Sequence, residues 1–375
     1  MFTSRYALLI ACLLVLPHAA SLVWADEQGD SSAKRFEIPV WHEDARWKLA
    51  DESFALVTNL HAHLDGPRRE LMWVHHAYPD LMGGMEGGGR YTFMSYDAAR
   101  ERYHNATSGA TGYLDGPFSR ARIYVTDYHD SRHERAWSSD KRFYYFLDSF
   151  PRQRIRSLDF AEQMVRTLPV GGIAFACGDS GAVYVVQDSQ PVSKIAVLTP
   201  GPQWKLDRTL TVQGKTTLNA LGSSLAVDEK RGRLYATTYG AKPAYVWYWD
   251  LKDGTVHTVV PNCEGKPEAR KTGEAGLFKG TVLYNHGEIG WGPDDPEKRF
   301  LYLTRVDDDN LYRLDLQREV IAVFHAKQGR FVEEGKGDKS LYMYQPHWLA
   351  DGSFVGYMPW YGPQRQKLPL FKRIK

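Results

Sequence analysis

Acidic, amide and imidazole side chains recur just ahead of short apolar segments in this sequence, and they are the residue types best suited to chemistry. Five such segments can be superposed on a tryptophan or an equivalent apolar residue. The position three residues before that anchor holds Glu134, Gly172, Gly222, Glu288 and Gln345. Histidines stand close to three of the segments, at His133, His286 and His347.

These side chains could bind a metal ion if the fold brings the segments together. Carboxylates and imidazoles around a narrow space repel or desolvate one another unless a cation lies between them. We therefore expect a divalent metal. Its candidate ligands are Glu134, Glu288, Gln345, His133, His286 and His347. Carboxylate, amide and carbonyl oxygens suit calcium, whereas a majority of histidines suits zinc or manganese, and the sequence leaves this choice open.

Two features limit this interpretation. The histidines fall at different offsets from the anchor residue, and successive residues of a strand point to opposite faces. Only some of the histidines would therefore be ligands. In the alternative interpretation, all these side chains cap strand starts and hydrogen-bond to loops.

The segments that carry these residues are copies of one unit: a turn, an apolar strand, an Asp turn and a second strand. The clearest copies cover residues 134–146 and 345–355, and a third runs from 288 to 303 with a short insertion. Weaker copies start at Gly172 and Gly222. A unit that recurs every few tens of residues indicates a solenoid, a propeller or an array, because one copy cannot bury its own apolar face.

A third and a fourth strand can be traced in most copies, as in residues 154–159 and 163–168. Four short antiparallel strands per unit predict an all-β fold, a β-propeller with four-stranded blades. We expect six blades, with seven as the alternative. The predicted blades cover 130–168, 170–212, 219–260, 281–325 and 342–371, and residues 35–122 supply the remaining one.

Three local predictions concern that N-terminal region. Residues 72–78 and 91–94 are its expected strands. Residues 36–40 alternate like a strand and could close the ring by joining the last blade, which removes a sheet edge. Residues 96–103 read as a helix within an insertion.

The N-terminus predicts export. Arg5, an apolar run over residues 6–16 and a small-residue pattern ending at Ala25 are typical of a signal peptide, with a lipoprotein signal at Cys12 as the alternative. We expect a signal peptide at 1–25 and a single propeller domain at 26–375, secreted or periplasmic. Cys177 and Cys263 would then be paired or free.

Composition limits the classes of partner that the chain is expected to bind. No later stretch reaches the roughly 18 apolar residues that a membrane span needs. The net charge of +2 argues against a nucleic-acid binder, for which a strongly basic face is expected. We expect a monomer that binds a small molecule or an oligosaccharide.

One stretch resembles a known repeat. Residues 112–122, with Gly112, Asp115 and Gly116 leading to Ala121 and Arg122, look like the inter-blade signature of NHL-repeat and related six-bladed propellers, with Ile123 replacing the usual Phe. Residues 145–149 and 152–156 are similar to that repeat's strand, Asp turn and Arg-Ile-Arg strand. The resemblance extends, with falling specificity, to residue 354.

The resemblance implies an activity. Propellers similar in plan include lactonases of the gluconolactonase and paraoxonase type and the peptidylglycine amidating lyase, which hold a metal at the channel mouth. Some propeller polysaccharide lyases also use a channel metal, or His with Tyr. By this likeness we expect a metal-dependent hydrolase or lyase acting on a carbohydrate or lactone.

In that scheme a metal or an arginine neutralises a substrate carboxylate, and His or Tyr takes the proton. The catalytic candidates are His75, His76, Arg135 and Tyr344. The alternative function is a non-catalytic secreted propeller that binds protein or glycan through loops at 83–90 and 357–362.

Overall fold

The structure is a computed structural model whose contacts divide the chain into Met1–Pro39 and Val40–Lys375. It describes the following residues: 40–48, 57–63, 70–77, 90–97, 102–105, 112–123, 135–140, 142–148, 154–188, 191–201, 203–214, 216, 218, 223–238, 244–261, 279–280, 289–292, 295–304, 311–325, 330–333, 346–348, 354–356 and 367–374. The predicted signal peptide at 1–25 lies outside them. No helix in this described part is long and apolar enough to cross a membrane.

The described strands form six sheets, which we call blades 1 to 6 in chain order of their first strands. Blade 1 contains β2 (Val57–His63), β3 (Glu70–Ala77), β4 (Arg90–Asp97) and β5 (Arg102–Asn105). Blade 2 contains β7 (Arg135–Trp137), β8 (Phe143–Asp148), β9 (Arg154–Asp159), β10 (Met164–Thr167) and the short β6 (Gly116–Pro117). Blade 3 contains β11 (Ala174–Cys177), β12 (Val183–Val186), β13 (Lys194–Thr199) and β14 (Lys205–Thr211).

The other three blades follow the same plan. Blade 4 contains β15 (Ser223–Asp228), β16 (Arg233–Thr238), β17 (Ala244–Asp250) and β18 (Val256–Pro261). Blade 5 contains β20 (Ile289–Trp291), β21 (Phe300–Thr304), β22 (Leu311–Asp315) and β23 (Val320–His325), flanked by β19 (Lys279–Gly280) and β24 (Arg330–Val332). Blade 6 contains β25 (Pro346–Trp348), β26 (Phe354–Gly356), β27 (Lys367–Ile374) and β1 (Val40–Lys48).

The blades are arranged as a propeller, which confirms the predicted all-β fold. The first strands of neighbouring blades contact each other, as β7 does with β11, β11 with β15, β15 with β20, and β25 with β2. The strand β1 pairs with β27 in antiparallel register from Val40↔Ile374 to Lys48↔Lys367. The segment Val40–Lys48 thus completes the last blade. The segment predicted to do so was 36–40, and of it only Val40 lies among the described residues.

The prediction for residues 96–103 is wrong. Tyr96 and Asp97 end β4, and Arg102 begins β5, with Tyr96 opposite Tyr103. The helix-forming residues between them favoured a helix only weakly. Pairing of β4 with both β3 and β5 supplies ladder hydrogen bonds that this local preference does not match. The predicted strand at 91–94 is confirmed as part of β4, and the one at 72–78 is confirmed as part of β3 up to Ala77, beyond which Tyr78 lies outside the described residues.

Neighbouring first strands pack small residues against large ones. Ala174 and Ala176 of β11 pack in one cluster with Leu225 and Val227 of β15. Ala226, on the other side of the sheet, packs with Ile289 of blade 5. Fully burying a side chain such as Leu or Ile contributes about 1.5–3 kcal/mol. This small-to-large complementarity brings the first strands close together around the propeller axis.

The NHL-like stretch packs on blade 2. Its β6 pairs with β10, and Ala121 and Ile123 join the apolar cluster of Tyr144 and Leu158. The buried Arg156 guanidinium donates to the Leu114 and Arg122 carbonyls at 3.0 and 2.8 Å. It also binds the carboxylates of Asp115 and Asp148. The Gly-x-x-Asp-Gly turn is therefore anchored by a cation within the blade.

Candidate functional site

The first strands of the blades have two ends, and the predicted site falls at one of them. The start end is where these strands begin: β7 at Arg135, β20 at Ile289 and β25 at Pro346. Glu134, Glu288 and Gln345 each immediately precede one of these residues in the sequence. The turn end is where each first strand turns into the second strand of its blade.

Most of the predicted site residues lie outside the described residues. These are His133, Glu134, His286, Glu288, Tyr344 and Gln345. Of the remaining four, Arg135 begins β7 and His347 is the second residue of β25. His75 and His76 lie on β3, the second strand of blade 1. The site therefore stays a prediction. The structure describes the strands that directly follow Glu134, Glu288 and Gln345 in the chain.

In blade 3, the position that corresponds to Glu134, Glu288 and Gln345 is occupied by Gly172. A Cβ atom on Gly172 would lie 2.4 Å from the Val186 carbonyl oxygen and 2.5 Å from the Val185 Cγ1 atom. A real Cβ never approaches a backbone atom so closely, so only glycine fits there. Blade 3 can therefore supply no side chain at this position.

Among the described residues of the start end, the contact between Ser224 and Ile289 was not expected from the sequence. The Ser224 hydroxyl of β15 accepts a hydrogen bond from the Ile289 N–H at 3.1 Å and donates to the Ile289 carbonyl at 3.5 Å. Ser224 is 6% exposed, and the bond joins blade 4 to the first residue of β20. No signal in the sequence distinguishes Ser224 from its neighbour Ser223.

The turn end is connected from blade to blade by polar contacts. The Lys298 ammonium of blade 5 binds the Asp179 carboxylate of blade 3 at 3.0 Å. The Ser139 hydroxyl of blade 2 donates to the Asp179 carbonyl at 3.0 Å. Between them, Lys230 of blade 4 binds Glu297 of blade 5 at 2.7 Å. The four charged side chains named here thus form two ion pairs, Lys298 with Asp179 and Lys230 with Glu297.

Glu229 adds a further link at the turn end. Its carboxylate accepts from the Ser180 N–H at 2.7 Å, from the Ser180 hydroxyl at 2.6 Å and from the Tyr184 hydroxyl at 3.0 Å. Burial and the Glu229 carboxylate raise the pKa of Tyr184, so its hydroxyl stays protonated as a donor. Glu229 thus acts as an acceptor that joins blade 4 to blade 3.

Two blades carry the same Asp–Arg clasp at this end. Asp159 receives two hydrogen bonds from the Arg142 guanidinium at 3.2 and 2.8 Å, and Asp315 receives two from Arg299 at 2.9 and 2.6 Å. Burial alone would raise the pKa of each carboxyl, but the guanidinium and turn N–H groups hold both pKa values below the ordinary range. Each Asp therefore stays ionised and fixes its turn.

Among the described side chains, no three His, Cys, Asp or Glu residues stand close enough to hold a metal ion. Cys263 lies outside the described residues, so the pairing of Cys177 stays a prediction.

No family model and no curated protein matches the chain. Solved structures with a similar chain trace include a gluconolactonase from Xanthomonas campestris (10% identity, 90% of this chain, 96% of that chain, TM-score 0.43). Another is the PQQ-bound aldose sugar dehydrogenase from Streptomyces coelicolor (16% identity, 88% of this chain, 100% of that chain, TM-score 0.44). A nidogen/laminin complex is similar over 79% of this chain and 96% of that chain, with 11% identity and a TM-score of 0.40. At these values the likeness assigns neither substrate nor reaction.

Proposed function

We propose that the chain is a metal-dependent propeller enzyme that acts on a carbohydrate or lactone substrate at the start end of its first strands. The observation that supports this proposal most is where three of the first strands begin. Three first strands, β7, β20 and β25, begin directly after Glu134, Glu288 and Gln345. We further propose that it works outside the cytoplasm, as a monomer, on a small molecule or an oligosaccharide.

The residues fit a divalent metal by the chemistry of their donors. Two carboxylates and an amide suit calcium, and the addition of His133, His286 or His347 suits zinc or manganese. A side chain at Gly172 of blade 3 would clash with the Val186 carbonyl oxygen, and the ligands that we propose belong to blades 2, 5 and 6. When bound, such a metal activates a water molecule or polarises a substrate oxygen.

The catalytic roles go to four further residues of the chain. Arg135 begins β7, directly after Glu134, and would neutralise a substrate carboxylate there. His75, His76 or Tyr344 would accept or deliver the proton. A general base must come within hydrogen-bond reach of that proton, so at most one or two of the three would serve.

The test is metal content of the purified protein. We expect near-stoichiometric metal in the wild type, and its loss in Glu134→Gln and in Glu288→Gln. Glu297→Gln is the matched control, because Glu297 lies at the turn end and binds Lys230. It should keep the metal.

A folded wild type that binds no metal, even after incubation with calcium, zinc and manganese, overturns the proposal. The rival function, binding of protein or glycan through loops at 83–90 and 357–362, would then be pursued.

A further inference from the structure

The turn that follows β11 brings four blades together. It consists of residues 178–181, and it contacts Ser139 of blade 2, Glu229 of blade 4 and Lys298 of blade 5. Blades 3 and 5 are not neighbours, because their first strands β11 and β20 each contact β15 of blade 4. The contact between Lys298 and the blade 3 turn therefore extends across the turn end of blade 4.

The blade 5 side of this contact is held in place by its own loop. The Lys298 N–H donates to the Asp295 carbonyl at 2.9 Å, and Lys298 has a φ of +52°, which few residues other than glycine adopt. The Lys298 ammonium lies 5.6 Å from the centre of the Trp291 ring, and the Lys298 side chain is only 11% exposed. The Trp291 indole N–H donates to the Val227 carbonyl of β15 at 2.8 Å. Lys298 and Asp179 therefore meet over Trp291, where β15 and β20 end.

Glycines begin and end the blade 3 turn. A Cβ on Gly178 would lie 2.1 Å from the Glu229 Oε1 atom, so a larger residue would displace the carboxylate that binds Ser180. Gly181 has a φ of +85°, a conformation that glycine adopts without a steric penalty. Because glycine has the widest range of backbone conformations, a turn with glycine at both ends can change its orientation while β11 and β12 stay paired.

We propose that residues 178–181 form a lid over the turn end of the propeller, closed in this structure and hinged at Gly178 and Gly181. The lid is held shut by its polar contacts to blades 2, 4 and 5. These contacts lie at the surface and each contributes modestly to stability, so the lid can open locally while the blades stay folded. Opening admits water and small solutes to Trp291 at the end of β20. The inference goes beyond the proposed function and does not depend on a metal.

The test follows the loss of each contact at a residue that does not make it. Lys298→Met removes the contact to blade 5, and its effect is measured as amide hydrogen exchange at Ser180, which binds blade 4. Glu229→Gln weakens the contact to blade 4, and its effect is measured as hydrogen exchange of the Trp291 indole N–H, which lies under Lys298. Both measurements use the folded chain under native conditions.

The matched control is Arg318→Met, which breaks an exposed ion pair between Arg318 and Glu333 of blade 5. We expect exchange to be about threefold faster at Ser180 in Lys298→Met and about tenfold faster at the Trp291 indole in Glu229→Gln, with the control unchanged at both positions.

Unchanged exchange at Ser180 in Lys298→Met overturns the proposal, since the contacts would then act separately. An unchanged Trp291 indole in Glu229→Gln also overturns it, because the turn would then move without admitting water. Equally fast exchange in Arg318→Met has the same consequence, since the effect would come from general loosening.

Discussion

At the turn end of the first strands, charged side chains bind one another across blades, whereas at the start end the described contact of Ser224 is a hydroxyl bonded to backbone. Lys298, Asp179, Lys230 and Glu297 have their partners within the turn end. Charge at the turn end is therefore already used for structure. Glu134, Glu288 and Gln345 directly precede, in the sequence, strands that begin at the opposite end.

The largest effect on stability is expected at the start end of blade 3. Gly172→Ala would place a Cβ 2.4 Å from the Val186 carbonyl oxygen, so the backbone must move. We expect a loss of about 3 kcal/mol, at the upper end of typical overpacking costs, measured by urea unfolding.

Gly232→Ala is its control. Gly232 has a φ of +64° but open space around a Cβ, so only the backbone penalty of about 1–2 kcal/mol applies. A smaller loss for Gly172→Ala than for Gly232→Ala would mean that blade 3 is open at this position. A ligand from blade 3 would then have to be reconsidered.

A smaller effect is expected from the clasp at the turn end of blade 5. Arg299→Met leaves the buried Asp315 carboxylate without its guanidinium, at a cost of about 2 kcal/mol at pH 7. Because the folded pKa of Asp315 is depressed, the clasp stabilises the fold above the ordinary Asp pKa of about 3.9. This contribution is lost as the pH falls through the folded pKa of Asp315.

The measurement is the free energy of unfolding of wild type and Arg299→Met across the acid range. The difference between them should be full at pH 7 and should shrink below about pH 4. The same experiment on Arg142→Met tests the equivalent pair of Arg142 and Asp159 in blade 2. A difference that stays constant with pH would show that Arg299 acts through packing on Phe300 rather than through Asp315.

The architecture could be predicted from the sequence because its signals are local. In the clearest copies, a tryptophan, an Asp turn and a second apolar strand follow one another within about a dozen residues. The first and second strands of all six described sheets lie within the predicted blades. Closure of the last blade by a strand from the N-terminal region was also predicted, at residues 36–40, and the closing strand that the structure describes is Val40–Lys48. Residues 96–103 were predicted wrongly because a short run of helix formers carries less weight than pairing with two strands.

The contacts around the site were not predictable in the same way. Ser224 and Ile289 lie 65 residues apart, and they meet only because one blade packs on the next. The closed space at Gly172 depends on the backbone of its own second strand. The sequence can nominate Glu134 and Glu288 by their place in a repeat, but it cannot show which neighbouring backbone holds them.

The smallest effect is expected for the link between blades 3 and 5, and it tests whether the two ends are independent. Lys298→Met keeps a side chain over the Trp291 ring and removes the charge that binds Asp179. Because Asp179 is 66% exposed, the ion pair should contribute less than about 1 kcal/mol, and this contribution should fall further in 1 M salt. Metal content should equal that of the wild type. If Lys298→Met instead loses metal as Glu288→Gln does, the turn end takes part in the site and the division between structural and functional charges fails.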